Sequence, residues 1–334
     1  PSIGRNRVGF NAINRNLFGF GDTAYISPSF YTHSYSVGTG YELPLGAHGT
    51  KIGFTQARSA FKFTQGPQAY NGQSNIYNIY TQQELYRKRD TNVNLELGFA
   101  IKDSSFDFLG FPYSHDYIRV LTPALNFQHT DATGKTLGRL EAGIGLDVLG
   151  ATEGDDIRTS RYRAGSQFLR YNALLLRLQK LPWNTYGQFR FTGQYSPNSL
   201  VSLEQFQAGG YSTVRGYQEG RLIGDSGFAF SAEWHIPAWF LPNEAKFLKH
   251  TYSPRNSVEL VSFLDVGAVF LNNLFSNSAT SKGVNARNLT PIANSWLAST
   301  GVGLRIHLGK YLIGRLDLAF PLIHNSPDRN WARL

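Results

Sequence analysis

Cysteine and methionine are both absent from the 334 residues. Without cysteine there is no disulfide framework, no zinc ribbon and no thiol chemistry. Charge is scarce as well: Asp, Glu, Lys and Arg make up 16% of the chain, where soluble domains average roughly 25%. No run approaches ~18 consecutive apolar residues, which excludes a transmembrane helix. HExxH, the Walker A loop, the dinucleotide fingerprint and the EF-hand loop are all missing, so neither an enzyme nor a cofactor is expected. The first residue is Pro1 rather than Met, and the chain is read as a mature or trimmed fragment.

What is present is aromatic and basic. There are 24 Phe, 18 Tyr and 5 Trp, with 34 Gly and 14 Pro, so the chain is too rich in large apolar side chains to be disordered. The net charge is +9. In a soluble protein that balance suggests nucleic acid or anionic lipid. Here Lys and Arg are scattered singly between aromatics, with no basic helix and no RNP-like signature, and no nucleic-acid partner is expected.

The dominant signal is a period of two. In 91–102, Val93, Leu95, Leu97, Phe99 and Ile101 alternate with Asn94, Glu96, Gly98, Ala100 and Lys102. In 227–237, Phe228, Phe230, Trp234 and Ile236 oppose Ala229, Ser231, Glu233 and His235. In 256–271, Leu260, Leu264 and Val266 oppose Glu259, Phe263, Asp265 and Gly267. About 14 such segments can be read: 3–15, 22–32, 34–46, 49–66, 74–89, 91–102, 116–131, 139–150, 161–179, 186–195, 227–237, 256–271, 295–308 and 310–323. Helical patterning is nearly absent, and Trp239–His250 is the best candidate for a short helical turn.

These runs reach ten residues or more, long enough to cross a bilayer when tilted, whereas strands of a soluble sandwich usually have about five or six. Their polar faces carry Glu, Asp, Arg and Gly, as a wet lumen does, and their apolar faces carry Leu, Val and Phe, as a lipid-facing band does. Backbone pairing must be complete in lipid, so the sheet is expected to close. The fold class is therefore an all-β transmembrane antiparallel barrel in contact with lipid, expected to be monomeric. The few charges go to the lumen, which makes +9 a basic pore interior and loop set. Tyr77, Tyr80, Tyr86, Phe111, Tyr113, Tyr117, Trp183, Trp239 and Phe240 fall near strand ends, as amphipathic rings do at headgroup level.

One connection is exceptional. Residues 196–226 form a loop far longer than ordinary connections, and such loops are usually functional. It carries Gly209-Gly210 and then Val214-Arg215-Gly216-Tyr217. The string QAGGYSTVRGY, followed by GDSGFAFSAEWHIP, resembles the two-partner secretion transporters (TpsB) of the BamA-like outer-membrane superfamily. Their second motif, F-x-D-x-G, corresponds to Phe263-Leu264-Asp265-Val266-Gly267. NLFGFGD at 16–22 and YELPLG at 41–46 are softer matches, and the resemblance covers essentially the whole chain.

The resemblance implies a barrel of about 16 strands, with 196–226 folded back into the lumen and periplasmic POTRA domains before the barrel. No POTRA pattern is visible in 1–334, and the first and last strands are expected to lie outside these residues. The implied role is export of a large unfolded exoprotein (a TpsA-type cargo) across the bacterial outer membrane. The alternation supports the loop assignment, because Phe263, Asp265 and Gly267 share the lumenal face. A guanidinium matches a carboxylate with planar, bidentate donors, so Arg215 on Asp265 pins the loop. Gly216 permits tight backbone beside it, and Tyr217 wedges against the wall. Glu233 is a second lumenal carboxylate within reach of Arg215 or Arg221.

Other functions have their own discriminating features. A BamA-like assembly factor or insertase shares both motifs, and upstream sequence separates the two: two POTRA units and a plug helix favour secretion, five favour assembly. A diffusion porin needs neither motif. Gly224-Asp225-Ser226-Gly227 resembles the nucleophile segment of trypsin-like proteases, but those enzymes need a His and a second Asp placed by their own fold. At a loop-to-strand junction these are ordinary turn residues. The Asn288-Leu289-Thr290 sequon carries no weight in a bacterial protein.

Overall fold

The computed structural model describes residues 7–65, 68–154, 156–161, 163–242, 245–247, 250–252, 257–272, 295–308 and 312–323. The sheet begins with β1 (Arg7–Gly9) and β2 (Ala12–Arg15), which pair with the two halves of β3 (Thr23–Tyr31). They form one strand interrupted at Phe10 and Asn11. Antiparallel neighbours follow in chain order: β4 (Ser34–Leu45), β5 (Thr50–Gln65), β6 (Gln68–Arg87), β7 (Thr91–Phe108), β8 (Phe111–Asp131), β9 (Gly134–Leu146), β10 (Leu169–Lys180) and β11 (Tyr186–Tyr195). A long loop then carries the two-stranded hairpin of β12 (Phe206–Ala208) and β13 (Leu222–Gly224). The main sheet resumes with β14 (Ser226–Pro237). Next come the small hairpin β15 (Ala245–Phe247) and β16 (His250–Tyr252), then β17 (Val258–Phe270), β18 (Ser295–Leu308) and β19 (Leu312–Pro321). The result is one antiparallel path of 14 elements, with β2 off the path beside β3.

Burial alternates with the pleat, as it must when one face meets lipid and the other a packed lumen. Along β17, Leu264 is 44% exposed while its neighbour Asp265 is fully buried. Along β14, Phe230 and Trp234 are exposed while Ser231, Glu233 and His235 are buried. An exposed apolar row beside a buried charged row is the inverse of a soluble protein and is stable only with lipid outside.

The long connections 147–168 and 196–225 leave the same end of the sheet, while the turns at 46–49, 88–90, 132–133 and 181–185 close the other. Short turns are periplasmic and long loops extracellular in such barrels. The outer end is uneven. Pairing of β8 with β9 stops at Arg119↔Leu146, but pairing of β7 with β8 runs on to Phe108↔Phe111. On this extension the outward row changes from Phe54, Ile79 and Phe99 to Arg58, Asn75 and Asp103, which marks where the wall leaves the apolar band.

Several expectations are corrected. The described residues of 239–250 form no helix: Leu241 N–H closes a turn on the Ala238 carbonyl, and β15 begins the hairpin beyond it. Residues 161–168 belong to the loop before β10, whose ladder with β9 starts at Leu169. Tyr80 is not part of an aromatic belt, because its hydroxyl meets Glu42 at 3.1 Å inside the lumen and its ring covers Gly53. Phe111 and Tyr113 are exposed on the outer extension, past the polar row of Arg58, Asn75 and Asp103. Trp183, Trp239 and Phe240 are exposed beside the opposite end. The sequon at 288–290 and the chain's final residues lie outside the described residues.

Candidate functional site: the loop in the lumen

The turn that presents Arg215 is built from residues that tolerate a left-handed backbone. Gly209 and Gly210 have φ of 103° and 101°, and Gly210 N–H bonds the Val214 carbonyl at 3.0 Å. Thr213 Oγ1 accepts the Gly209 N–H at 2.9 Å. Gly216 has φ 86°, a conformation that favours glycine, and a Cβ there would also press on Ala319 Cβ at 3.3 Å. Gly267 on β17 leaves a notch for the loop: a Cβ on it would be 2.8 Å from Val214 Cγ2. Val214 fills that notch within an apolar cluster of Ala208, Leu222, Val269 and Leu297, against which Phe206 and Tyr217 pack. The Tyr217 hydroxyl lies 2.8 Å from the Ala298 carbonyl and accepts the Ile323 N–H at 3.2 Å, which joins the loop to β18 and the end of β19.

Arg215 is the polar centre. Its Nε donates to Asp265 Oδ2 and its Nη2 to Asp265 Oδ1, both at 2.7 Å. Nη1 reaches Glu233 Oε1 at 2.6 Å, and Nη2 also reaches Ser231 Oγ at 3.1 Å. Its own backbone N–H donates to Asp265 Oδ2 at 3.1 Å. The guanidinium lies over the Phe263 ring, 3.5 Å from its centroid. Burial opposes the Arg215 charge, but Asp265 and then Glu233 outweigh it and hold the group above its ordinary pKa. Phe263, Asp265, Gly267 and Glu233 thus surround the Val214–Tyr217 tip from two adjacent strands.

The network continues along the wall. Arg305 and Arg315 each meet Asp317 at 2.6 Å, and both approach Glu233, at 3.5 and 3.4 Å. His235 joins Glu233 to Glu259, at 3.0 Å each, and its ring stacks on Tyr186 with centroids 4.4 Å apart. Arg190 donates to the Ser212 carbonyl of the tip, and Arg315 lies over the Tyr211 ring at 4.5 Å. Sequence reading reached Glu233 but missed Arg305, Arg315 and Asp317; their alternation on β18 and β19 was the available signal.

Two further clusters hold the stem of the loop. Glu204, in the 3-10 turn Ser202–Glu204, is 2.7 Å from Lys102 Nζ of β7 and 2.9 Å from Arg170 Nη1 of β10. Asp225, the carboxylate of the GDSG string, accepts the Leu200 and Asn272 N–H groups at 2.8 Å each and is paired with Arg161. It therefore ties together three connections at the outer mouth, a structural role with no nucleophile chemistry. Among the described residues, no group of His, Asp or Glu is placed to hold a metal ion.

The expectation of a basic lumen is also corrected. Lys51 meets Glu42 at 2.7 Å, and Arg139 meets Glu96 at 2.9 Å and Glu141 at 2.8 Å. With the pairs above, most lumenal cations among the described residues are matched to carboxylates, while Arg190 is held by the Ser212 carbonyl. Runs such as Arg87-Lys88-Arg89 lie at turns instead.

Residues 1–305 match the family described as haemolysin secretion/activation protein ShlB/FhaC/HecB. The chain belongs to this family. Its fold is similar to CdiB from Escherichia coli at 18% identity, with a TM-score of 0.75 over 97% of this chain and 57% of that one. CdiB from Acinetobacter baumannii gives 17% identity and a TM-score of 0.68 over 96% of this chain and 54% of that one. BamA from Haemophilus ducreyi lacking POTRA domains 1-3 gives 13% and 0.64 over 96% of this chain and 66% of that one. The chain thus spans little more than half the length of the two CdiB structures. No curated protein sequence matches it significantly. Membership places the barrel in the bacterial outer membrane.

Proposed function

We propose that this barrel is the pore of a two-partner secretion transporter that passes a large unfolded exoprotein outward across the outer membrane. The observation that carries the reading is the lumenal loop, with Arg215 bonded to Asp265 and Glu233 inside the wall. A diffusion porin has no use for a buried Arg with three side-chain acceptors, since each charge taken from water must be repaid by its partners. In this reading Val214, Arg215, Gly216 and Tyr217 are loop-anchoring residues, and Phe263, Asp265, Gly267 and Glu233 are their receptors on the wall. The loop 196–226 occupies the resting pore and becomes one wall of the path during transit. With no nucleotide fingerprint in the sequence, folding of the cargo outside supplies the direction.

The test is Arg215→Ala in the full-length protein, with secretion and single-channel conductance both measured. Secretion is expected to fall and conductance to change. Wild-type values for both remove the role.

A further inference from the structure

The loop is held at two depths and on two stretches of wall. Its tip is bound to β14, β17, β18 and β19 through Arg215 and Tyr217. Its stem is bound to β7 and β10 through Glu204, close to the outer mouth, since Arg170 stands at the outer end of β10. The two anchors differ in quality. At the tip, each of the Arg215 nitrogens Nε, Nη1 and Nη2 has a charge-assisted partner within 2.7 Å. At the stem, one carboxylate serves two cations. Glu204 Oε2 is near Arg170 Nη1 without a directed hydrogen bond, and Arg170 Nε is buried with no acceptor among the described residues. The Glu204 side chain is fully buried while Lys102 and Arg170 each keep 13% of theirs exposed, so water can take its place on the two cations only when the carboxylate moves.

We propose that Glu204 is the releasable anchor of the lumenal loop: the pore opens when the segment around Glu204 leaves Lys102 and Arg170 and swings between two points that stay fixed, Asp265 at the tip and Asp225 at the outer mouth. Glu204, Lys102 and Arg170 are then positioning residues for transport. The inference rests on reading the barrel as a pore and concerns how that pore opens.

The experiment is planar-bilayer recording of the full-length protein without cargo, with Glu204→Gln compared with wild type. Heat-modifiable migration first confirms a folded barrel. Losing charge-assisted bonds of this kind should raise the open fraction about tenfold or more. Once parted, Glu204, Lys102 and Arg170 are solvated charges whose mutual attraction salt screens, so wild type should open more readily as salt rises and Glu204→Gln should respond less. Lys102→Gln, which leaves the Arg170 contact, should give a smaller rise and serves if the first variant does not fold. A folded variant with wild-type open fraction and salt response overturns the proposal. Because no cargo is present, a raised open fraction with no secretion by the wild type would sink the secretion reading and leave this inference standing.

Discussion

At the residue scale, Arg215 is defined by the shape of its charge as much as by its sign. Asp265 takes two parallel bonds, and Glu233 and Ser231 are served by the same plane. A lysine ammonium is a point charge on a flexible stem and cannot present that fork. Breaking such a buried pair from one side costs about 3–5 kcal/mol, because Asp265 is left without its cation. Arg215→Lys is therefore expected to recover only part of what Arg215→Ala loses. Chymotryptic cleavage within 196–226 in detergent, where the aromatic sites are the same in all three proteins, should rank Ala above Lys and Lys above wild type; a lysine variant as protected as wild type would contradict this. Alternation alone put Asp265 and Glu233 on the lumenal face. It could not show that Gly267 is a notch for Val214, because pleat parity gives a side chain its face and says nothing of what crosses the lumen to meet it.

At the element scale, strands were legible because one face meets lipid and the other does not, so each run carries a strict period of two. Boundaries were less so where the wall leaves the bilayer. β6 begins at Gln68, earlier than its pattern, because its outward residues there are Asn71 and Gln73 and the apolar signal has gone. The helical pattern at 239–250 failed for a different reason: exposed aromatics near a membrane end mimic the spacing of a buried helix face. Turns carry their own chemistry. Asp22 takes the Phe18 N–H at 3.1 Å, and Asn16 Oδ1 takes the Gly21 N–H at 2.7 Å. Burial pushes the Asp22 pKa up, but backbone donors led by Phe18 outweigh it and leave it below the ordinary value. A depressed pKa stabilises the turn above the unfolded value and loses that contribution as pH falls through the folded one, that is, below about pH 4. Amide exchange at Phe18, corrected for its intrinsic rate, should speed up below that pH. In Asp22→Asn the acid-dependent step should vanish, and an unchanged acid limb would rule the carboxylate out.

At the scale of the whole molecule, the charge of +9 does not describe the pore. Composition sums every residue, while an ion in the lumen feels only the charges near its path within a Debye length of about 10 Å. Those charges are largely paired: Lys51 with Glu42, Arg139 with Glu96 and Glu141, Lys102 and Arg170 with Glu204, Arg305 and Arg315 with Asp317. The excess of Lys and Arg at turns such as 87–89 lies where water and salt screen it. The wild-type channel is therefore expected to discriminate weakly between anions and cations, despite a strongly basic chain. Arg215→Ala removes one cation from the network and leaves Asp265 without its charged partner. Its reversal potential in a KCl gradient should move toward cation selectivity. Asp265→Asn should move it the other way, since Arg215, Arg305 and Arg315 then share only the two carboxylates Glu233 and Asp317. Two variants that shift in the same direction would mean that the measured current does not pass beside this loop, and the path through the lumen would have to be drawn elsewhere.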